Sequence, residues 1–152
     1  MAYQLIKIES EQDWLSYHEI RRTILFEDRG RIGIYNANHP DEANPDNHPL
    51  LLKFNNYAYG TTRLDNRKDG TGIVRQVAII RSEQGKGHGR ILSRLVDEYA
   101  QSLGINILLV NSAPESVGYY EHTGWVPFLW DKQELSEISE GCIQMRKHLS
   151  LS

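Results

Sequence analysis

Three glycines at alternate positions, set between a buried strand and an amphipathic helix, form an arrangement able to hold a phosphate. The chain carries it at Gln84, Gly85, Lys86, Gly87, His88 and Gly89. Glycine admits positive φ and lets a ligand approach the backbone without meeting a Cβ. Before the loop, Val77, Ala78, Ile79 and Ile80 form a short apolar run, which predicts a central strand covered on both faces. After it, Ile91, Leu92, Leu95, Val96, Tyr99, Ala100 and Leu103 share one helical face. The helix is therefore expected to start inside the glycine run. Its unpaired N–H groups and positive dipole end would face the loop and favour an anion.

Three kinds of phosphate loop compete. A nucleoside-triphosphate loop needs G-x-x-x-x-G-K-S/T, and no Lys-Ser or Lys-Thr pair follows these glycines. A dinucleotide fingerprint needs its third glycine where Arg90 stands, and an acidic residue after a second strand that instead ends at Asn111. The hexapeptide 84–89 does match Gln/Arg-x-x-Gly-x-Gly/Ala, and in this respect the chain resembles the GNAT superfamily of acyl-CoA-dependent N-acyltransferases. The resemblance spans roughly residues 11–148, with its specific motifs in the central half.

A second stretch supports it. Gly118-Tyr119-Tyr120-Glu121-His122-Thr123-Gly124-Trp125 resembles the aromatic-Tyr-x-x-x-Gly-aromatic segment of that family. Tyr120 takes the position where many members bring a tyrosine hydroxyl close to the acyl-CoA sulfur. A core tyrosine is the bland reading of this residue, and the glycine loop about thirty residues earlier outweighs it.

The elements that must position these groups are legible in outline. Residues 3–8 alternate as a first strand. Ser10 and Asp13 resemble a capping box for a helix carrying Trp14, Tyr17, Ile20 and Ile24 and ending near Phe26. Arg21 and Arg22 on it read as solvated surface, or more sharply as contacts for an acidic substrate group. Residues 27–49 are polar and turn-rich, which suggests a substrate-facing or lid loop. His39, Asp41, Glu42, Asp46 and His48 lie there without the spacing of a metal site, so no metal is expected. Strands follow at 50–54 and 57–64, joined by a turn at Asn55-Asn56 and interrupted by Gly60 at a bulge. A further strand is expected at 105–110. Ser112 and Glu115 then resemble a capping box for a short helix that Gly124 ends. Strand 125–129, a polar connector at 131–140 and an edge strand at 142–148 complete the chain. Cys142 reads as a packed thiol.

The totals exclude several classes. At 152 residues, 39% hydrophobic, 24% charged and a net charge of −3, the sequence is that of an ordinary soluble domain without a basic nucleic-acid footprint. No apolar run has the length of a membrane span, and the first ten residues do not resemble a signal peptide. The single cysteine excludes an internal disulfide and is compatible with the cytoplasm. A single domain over 1–152 is expected, with no nucleic-acid or membrane partner; a homodimer is compatible with its edge strands.

The resemblance implies an α/β, layered GNAT fold. Its sheet would be central, mixed and mostly antiparallel, with helices on both faces and a splay between the fourth and fifth strands. It further implies transfer of an acetyl group from acetyl-CoA directly to a primary amine of a small molecule or peptide. Main-chain groups of Val77 and Ile79, flanking Ala78, would pair with the pantetheine arm. Amides from Gln84, Gly85, Lys86, Gly87, His88, Gly89 and Arg90 would hold the pyrophosphate, and Asn111 would reach the arm from the other side. Tyr120 would give a proton to the leaving thiolate. No base stands on the central strand; a water chain, Glu27, Asp28 or His48 are the candidates. A non-catalytic acyl-CoA sensor and a module for another nucleotide are the competing readings.

Overall fold

The computed structural model describes residues 3–137 and 141–149. Its strands are β1 (Tyr3–Lys7), β2 (Asn47–Phe54), β3 (Tyr57–Asn66), β4 (Thr71–Ile79), β5 (Ile107–Ser112), β6 (Val126–Pro127) and β7 (Ile143–His148). They form one sheet in the order β1-β2-β3-β4-β5-β7-β6. Only β4 and β5 pair in parallel; the other neighbours are antiparallel. The helices are α1 (Glu11–Ile20), α2 (His88–Ser102), α3 (Val117–His122) and α4 (Lys132–Glu137).

Strand alternation sends residues to two cores. Leu51 packs with Tyr17, Ile20 and Leu25 beneath α1, while Leu50 and Leu52 turn to the other face against Leu92, Val96 and Tyr120 of α2 and α3. Helices thus cover both faces, as the mixed α/β reading expects. The Ser10 side chain accepts from the Asp13 amide to open α1, and a π-helical turn, Arg21–Phe26, prolongs it to the predicted end.

Period 2 would put Val74 and Ala78 on the same face, yet they lie in opposite cores. The cause is a β-bulge: Thr61 pairs with Ala78 but Arg63 pairs with Arg75, so Gln76 and Val77 together face Thr62. Gln76 takes a positive φ of 52° there, an uncommon conformation for a residue with a Cβ. A second bulge, at Tyr59, adjoins the expected position Gly60. Gly60 itself is demanded by close approach, since a Cβ would meet Ile79 Cδ1 at 2.7 Å and the Ala78 carbonyl at 3.0 Å.

Several expectations are corrected. The 27–49 stretch contains two short 3₁₀ turns, and β2 starts at Asn47 rather than at 50. Ser112 does not cap a helix; its hydroxyl donates to the Ala113 carbonyl, and a 3₁₀ turn at Pro114–Ser116 leads into α3. The last strand before the connector shrinks to Val126–Pro127 because Trp130 folds back, its Nε1 donating to the Val110 carbonyl. The connector itself carries α4, with Asp131 accepting from the Gln133 and Glu134 amides; its residues 138–140 lie outside the described residues.

Candidate active site

The site begins where β4 and β5 part. Their pairing runs from Thr71 with Ile107 to Val74 with Val110 and stops. Beyond that point β5 continues along β7, through Asn111 with Gln144 and Ser112 with Ile143, while β4 stays with β3. Ile80 N donates to the Tyr59 carbonyl, so alternation turns the Val77 and Ile79 N–H groups away from β3 and toward the gap. A cleft of about 550 Å³ opens there.

The glycine loop follows directly. Gln84 Nε2 donates to the Ile79 carbonyl at 2.9 Å and folds the loop against the strand end. Gly85 and Gly87 both have positive φ, and Gly87 stands as the N-cap of α2 without a side chain to cap it. The first helical bond is from Ile91 to Gly87, so the His88, Gly89 and Arg90 amides precede the helical ladder. Gly89 is packed under Tyr119, whose hydroxyl donates to the Gly89 carbonyl at 2.8 Å. Burial pushes the Tyr119 phenol up to about 12, with Asp97 adding to it.

His88 has a role the sequence did not reveal. Its ring is buried, bonded to the Tyr3 hydroxyl at 2.8 Å and to Glu83 at 3.2 Å, and so ties the start of α2 to β1. Lys86 reaches Glu83 at 3.6 Å, and Arg90 is exposed.

Tyr120 lines the cleft from α3 and packs edge-on against Tyr119 and Trp125. It is only 6% exposed. Burial raises its pKa well above the ordinary phenol value, helped by Tyr119 and Cys142, so it stays protonated. Cys142 was expected to be packed away; it instead lines the cleft, half-buried, and burial raises its thiol pKa with Glu115 adding.

A chain of ion pairs closes the other wall, and little of it was foreseen. Arg21 is buried rather than solvated; it pairs with Glu42 and donates to the Gln76 side chain at 2.7 Å, holding the bulge. Glu42 also receives Arg63 at 3.2 Å, and Arg63 reaches Asp65 at 2.7 Å. Arg75 bridges Asp65 and Glu134. Glu134 accepts from Asn111 Nδ2 at 2.7 Å as well, so its carboxylate joins β4 to β5 across their splay. Asn111 is thereby committed within the protein, its oxygen accepting from Gln144. Arg21 and Glu42 are 21 residues apart and Arg75 and Glu134 are 59 apart, beyond the reach of local patterning.

The three side chains weighed as a base do not line the cleft. Glu27 pairs with Arg22 on the surface, and Asp28 pairs with Arg81 beside a separate hollow. His48 bonds the Tyr99 hydroxyl at 2.6 Å on the α2 face. Asp41 and Glu42 are the carboxylates that do line it. Among the described residues no cluster of three metal-ligating side chains occurs, and no helix is long and apolar enough to cross a membrane.

This combination of parted parallel strands, a bulge and a glycine-capped helix is matched in sequence as well as in shape. The Acetyltransferase (GNAT) family profile matches residues 8–125. The chain belongs to the GNAT family. A Bacillus subtilis protein named as an acetyltransferase by inference is 27% identical over 120 residues, covering 78% of this chain and 80% of its own. An acetyltransferase of the GNAT family from Staphylococcus aureus superimposes with a TM-score of 0.77 at 14% identity, over 98% of this chain and 100% of its own. N-acetylglutamate synthase from Neisseria gonorrhoeae, solved with coenzyme A and N-acetyl-glutamate, also gives 0.77, at 16% identity over 99% of this chain. This chain spans 36% of that larger protein. At such identities the solved structures speak for the fold.

Proposed function

We propose that the protein is a cytoplasmic N-acetyltransferase that moves an acetyl group from acetyl-CoA directly to a primary amine of a small molecule or peptide. The observation that carries this reading is the parting of β4 from β5, which opens a cleft lined by Val77 and the buried Tyr120, on a strand that runs directly into the glycine start of α2. The residues present fit the cosubstrate. The N–H groups of Val77 and Ile79 suit an extended, amide-bearing arm that adds to the sheet, the Ile79 carbonyl being taken by Gln84. The amides from Gly85 to Arg90 suit a pyrophosphate, at the positive end of α2, whereas the Gln84 amide already donates to the Arg81 carbonyl. Asn111 Nδ2 and Oδ1 are already bonded, so its part is to help shape the cleft wall.

Acetyl-CoA supplies an activated thioester carbonyl. The N–H at Ile79 would stabilise the oxyanion that forms when the amine attacks. As the C–S bond breaks, the Tyr120 hydroxyl would donate its proton to the departing sulfur. A free thiol has a pKa of about 8.5 and an ordinary phenol about 10, so the high Tyr120 value keeps the donor loaded at neutral pH. The incoming amine loses its proton through water in the cleft, since Glu42 is held by two arginines.

CoA release from acetyl-CoA over a panel of amines, on wild type and Tyr120→Phe, tests the proposal. Amine-dependent turnover that collapses in the variant supports transfer and the proton role together. Turnover untouched by the substitution removes the tyrosine from the mechanism. Acetyl-CoA binding without turnover on any amine favours a sensor.

A further inference from the structure

The cleft is unevenly charged. Five arginines line it against two carboxylates. Arg21, Arg63 and Arg75 are neutralised in place by Glu42, Asp65 and Glu134. Both lining carboxylates are already engaged: Glu42 by two arginines, and the exposed Asp41 by His39 at 3.6 Å and Arg63 at 3.8 Å. No lining carboxylate is left free to receive an ammonium group. A cationic polyamine would therefore find no countercharge there.

Two guanidiniums are different. Arg29 and Arg31 flank Gly30, which takes a φ of 77° just after the π-helical turn. Both are exposed cleft residues, and among the described residues neither has an ion-pair partner. The Arg31 guanidinium lies 4.8 Å from the centre of the Phe26 ring. Stacking of this kind orients the planar group and leaves its N–H edge free for a carboxylate or phosphate. Arg29 and Arg31 line the same cleft as Cys142 and Tyr120.

We infer, resting on the acetyl-transfer reading above, that the acceptor is a small amine that also carries a carboxylate or phosphate, and that Arg29 and Arg31 receive this anionic group at the cleft mouth. Guanidinium forks match both anions through paired, charge-assisted hydrogen bonds. The acetyl group passes from sulfur to nitrogen, the amine proton leaves to water, and the thiolate takes the Tyr120 proton.

The test compares matched acceptors that differ in the anionic group: an amino acid with its decarboxylated amine, phosphoethanolamine with ethanolamine, and spermidine as the cationic extreme. The expected result is a kcat/KM at least about tenfold higher for the anionic member of a pair, with the better of the two pairs identifying carboxylate or phosphate. In Arg29→Gln/Arg31→Gln that ratio falls by about tenfold, through KM rather than kcat. Preference for spermidine or ethanolamine overturns the inference, as does a ratio unmoved by the double substitution. Saturation-transfer NMR on the CoA-loaded protein gives a readout independent of turnover. Binding of the anionic amine that is lost in the double variant supports the subsite even if no acetyl transfer occurs, an outcome that sinks the transferase alone. Absence of such binding, where uncharged amines are acetylated, sinks the subsite alone.

Discussion

Two regions beside the β4–β5 splay, the two walls of the proposed site, are built on different physics. The one proposed to hold the cosubstrate, the cofactor wall, is backbone: bulged β4, a loop of glycines, and the first turn of α2. The one proposed to face the acceptor, the acceptor wall, is side chains, a run of guanidiniums and carboxylates from Arg21 through Glu42, Arg63 and Arg75 to Glu134. A backbone site recognises what every cosubstrate molecule shares, and it tolerates sequence change away from its glycines. A side-chain site can be rebuilt by a few substitutions. On the proposed reading, the acceptor side is therefore the easier of the two to change by substitution. The difference also predicts that damage to the two walls will separate in stability, kcat and cosubstrate affinity.

The largest expected effect is on the acceptor wall. Glu42 and Arg21 have side chains only 8% exposed, and Glu42→Gln leaves the Arg21 charge buried without its partner. Breaking a pair of this kind costs about 3 kcal/mol of folding stability. Chemical denaturation of the variant should show a lower midpoint at unchanged slope. Acetyl-CoA affinity in the folded fraction should stay within about twofold, because the glycine loop does not touch this chain of charges. A large affinity loss would mean that the two walls are coupled through the Arg21–Gln76 contact at the bulge.

Next comes the point where the walls meet. Tyr120→Phe keeps the packing against Trp125 and removes only the hydroxyl. A fall in kcat of about 100-fold is expected, the lower end for a positioned proton donor, with little change in KM for acetyl-CoA. Steady-state kinetics at saturating amine checks it. A rise in KM with kcat preserved would make the hydroxyl a binding group instead.

On the cofactor wall the expected effect is smaller. Gly87→Ala meets no neighbouring atom, but a Cβ at φ 89° is strained by about 1 kcal/mol. The loop should relax by shifting its amides, so CoA affinity measured by calorimetry should weaken more than folding stability does. Equal losses in both would show that the loop is a structural cap rather than an anion cradle.

Legibility followed the same division. Gln84 to Gly89, the flanking strand and the helical stripe of α2 are contiguous in sequence, so their periods and glycines were readable. The acceptor wall joins residues from α1, the 27–49 stretch, β3, β4 and α4. Arg21 looked like a surface residue because nothing near it in sequence announces Glu42. Glu134 lay in what read as a polar connector, yet it spans Arg75 and Asn111. The bulge was equally hidden: Gln76 is an ordinary strand residue until Arg21 fixes its side chain. The bulge at Tyr59 was nearly readable, because the neighbouring Gly60 interrupts an otherwise regular strand.

The smallest effect tests the histidines that flank each wall. His18 stacks on Trp14 and bonds the Tyr35 hydroxyl at 2.6 Å, tying the 27–49 stretch to α1. His48 makes the equivalent bond to Tyr99 on the α2 face. Burial lowers both pKa values below the ordinary 6.5, with Arg21 and Arg22 adding to the effect at His18 and Lys7 at His48. The folded state then binds fewer protons than the unfolded chain just below pH 6.5, so stability is full above that value and declines as pH falls through it. Because both rings are partly solvated, each loss should stay under about 1 kcal/mol. Thermal melts between pH 7.5 and 5 on wild type, His18→Asn and His48→Asn measure it. Each substitution should flatten the acid slope. Three identical slopes would place the acid sensitivity outside these two rings.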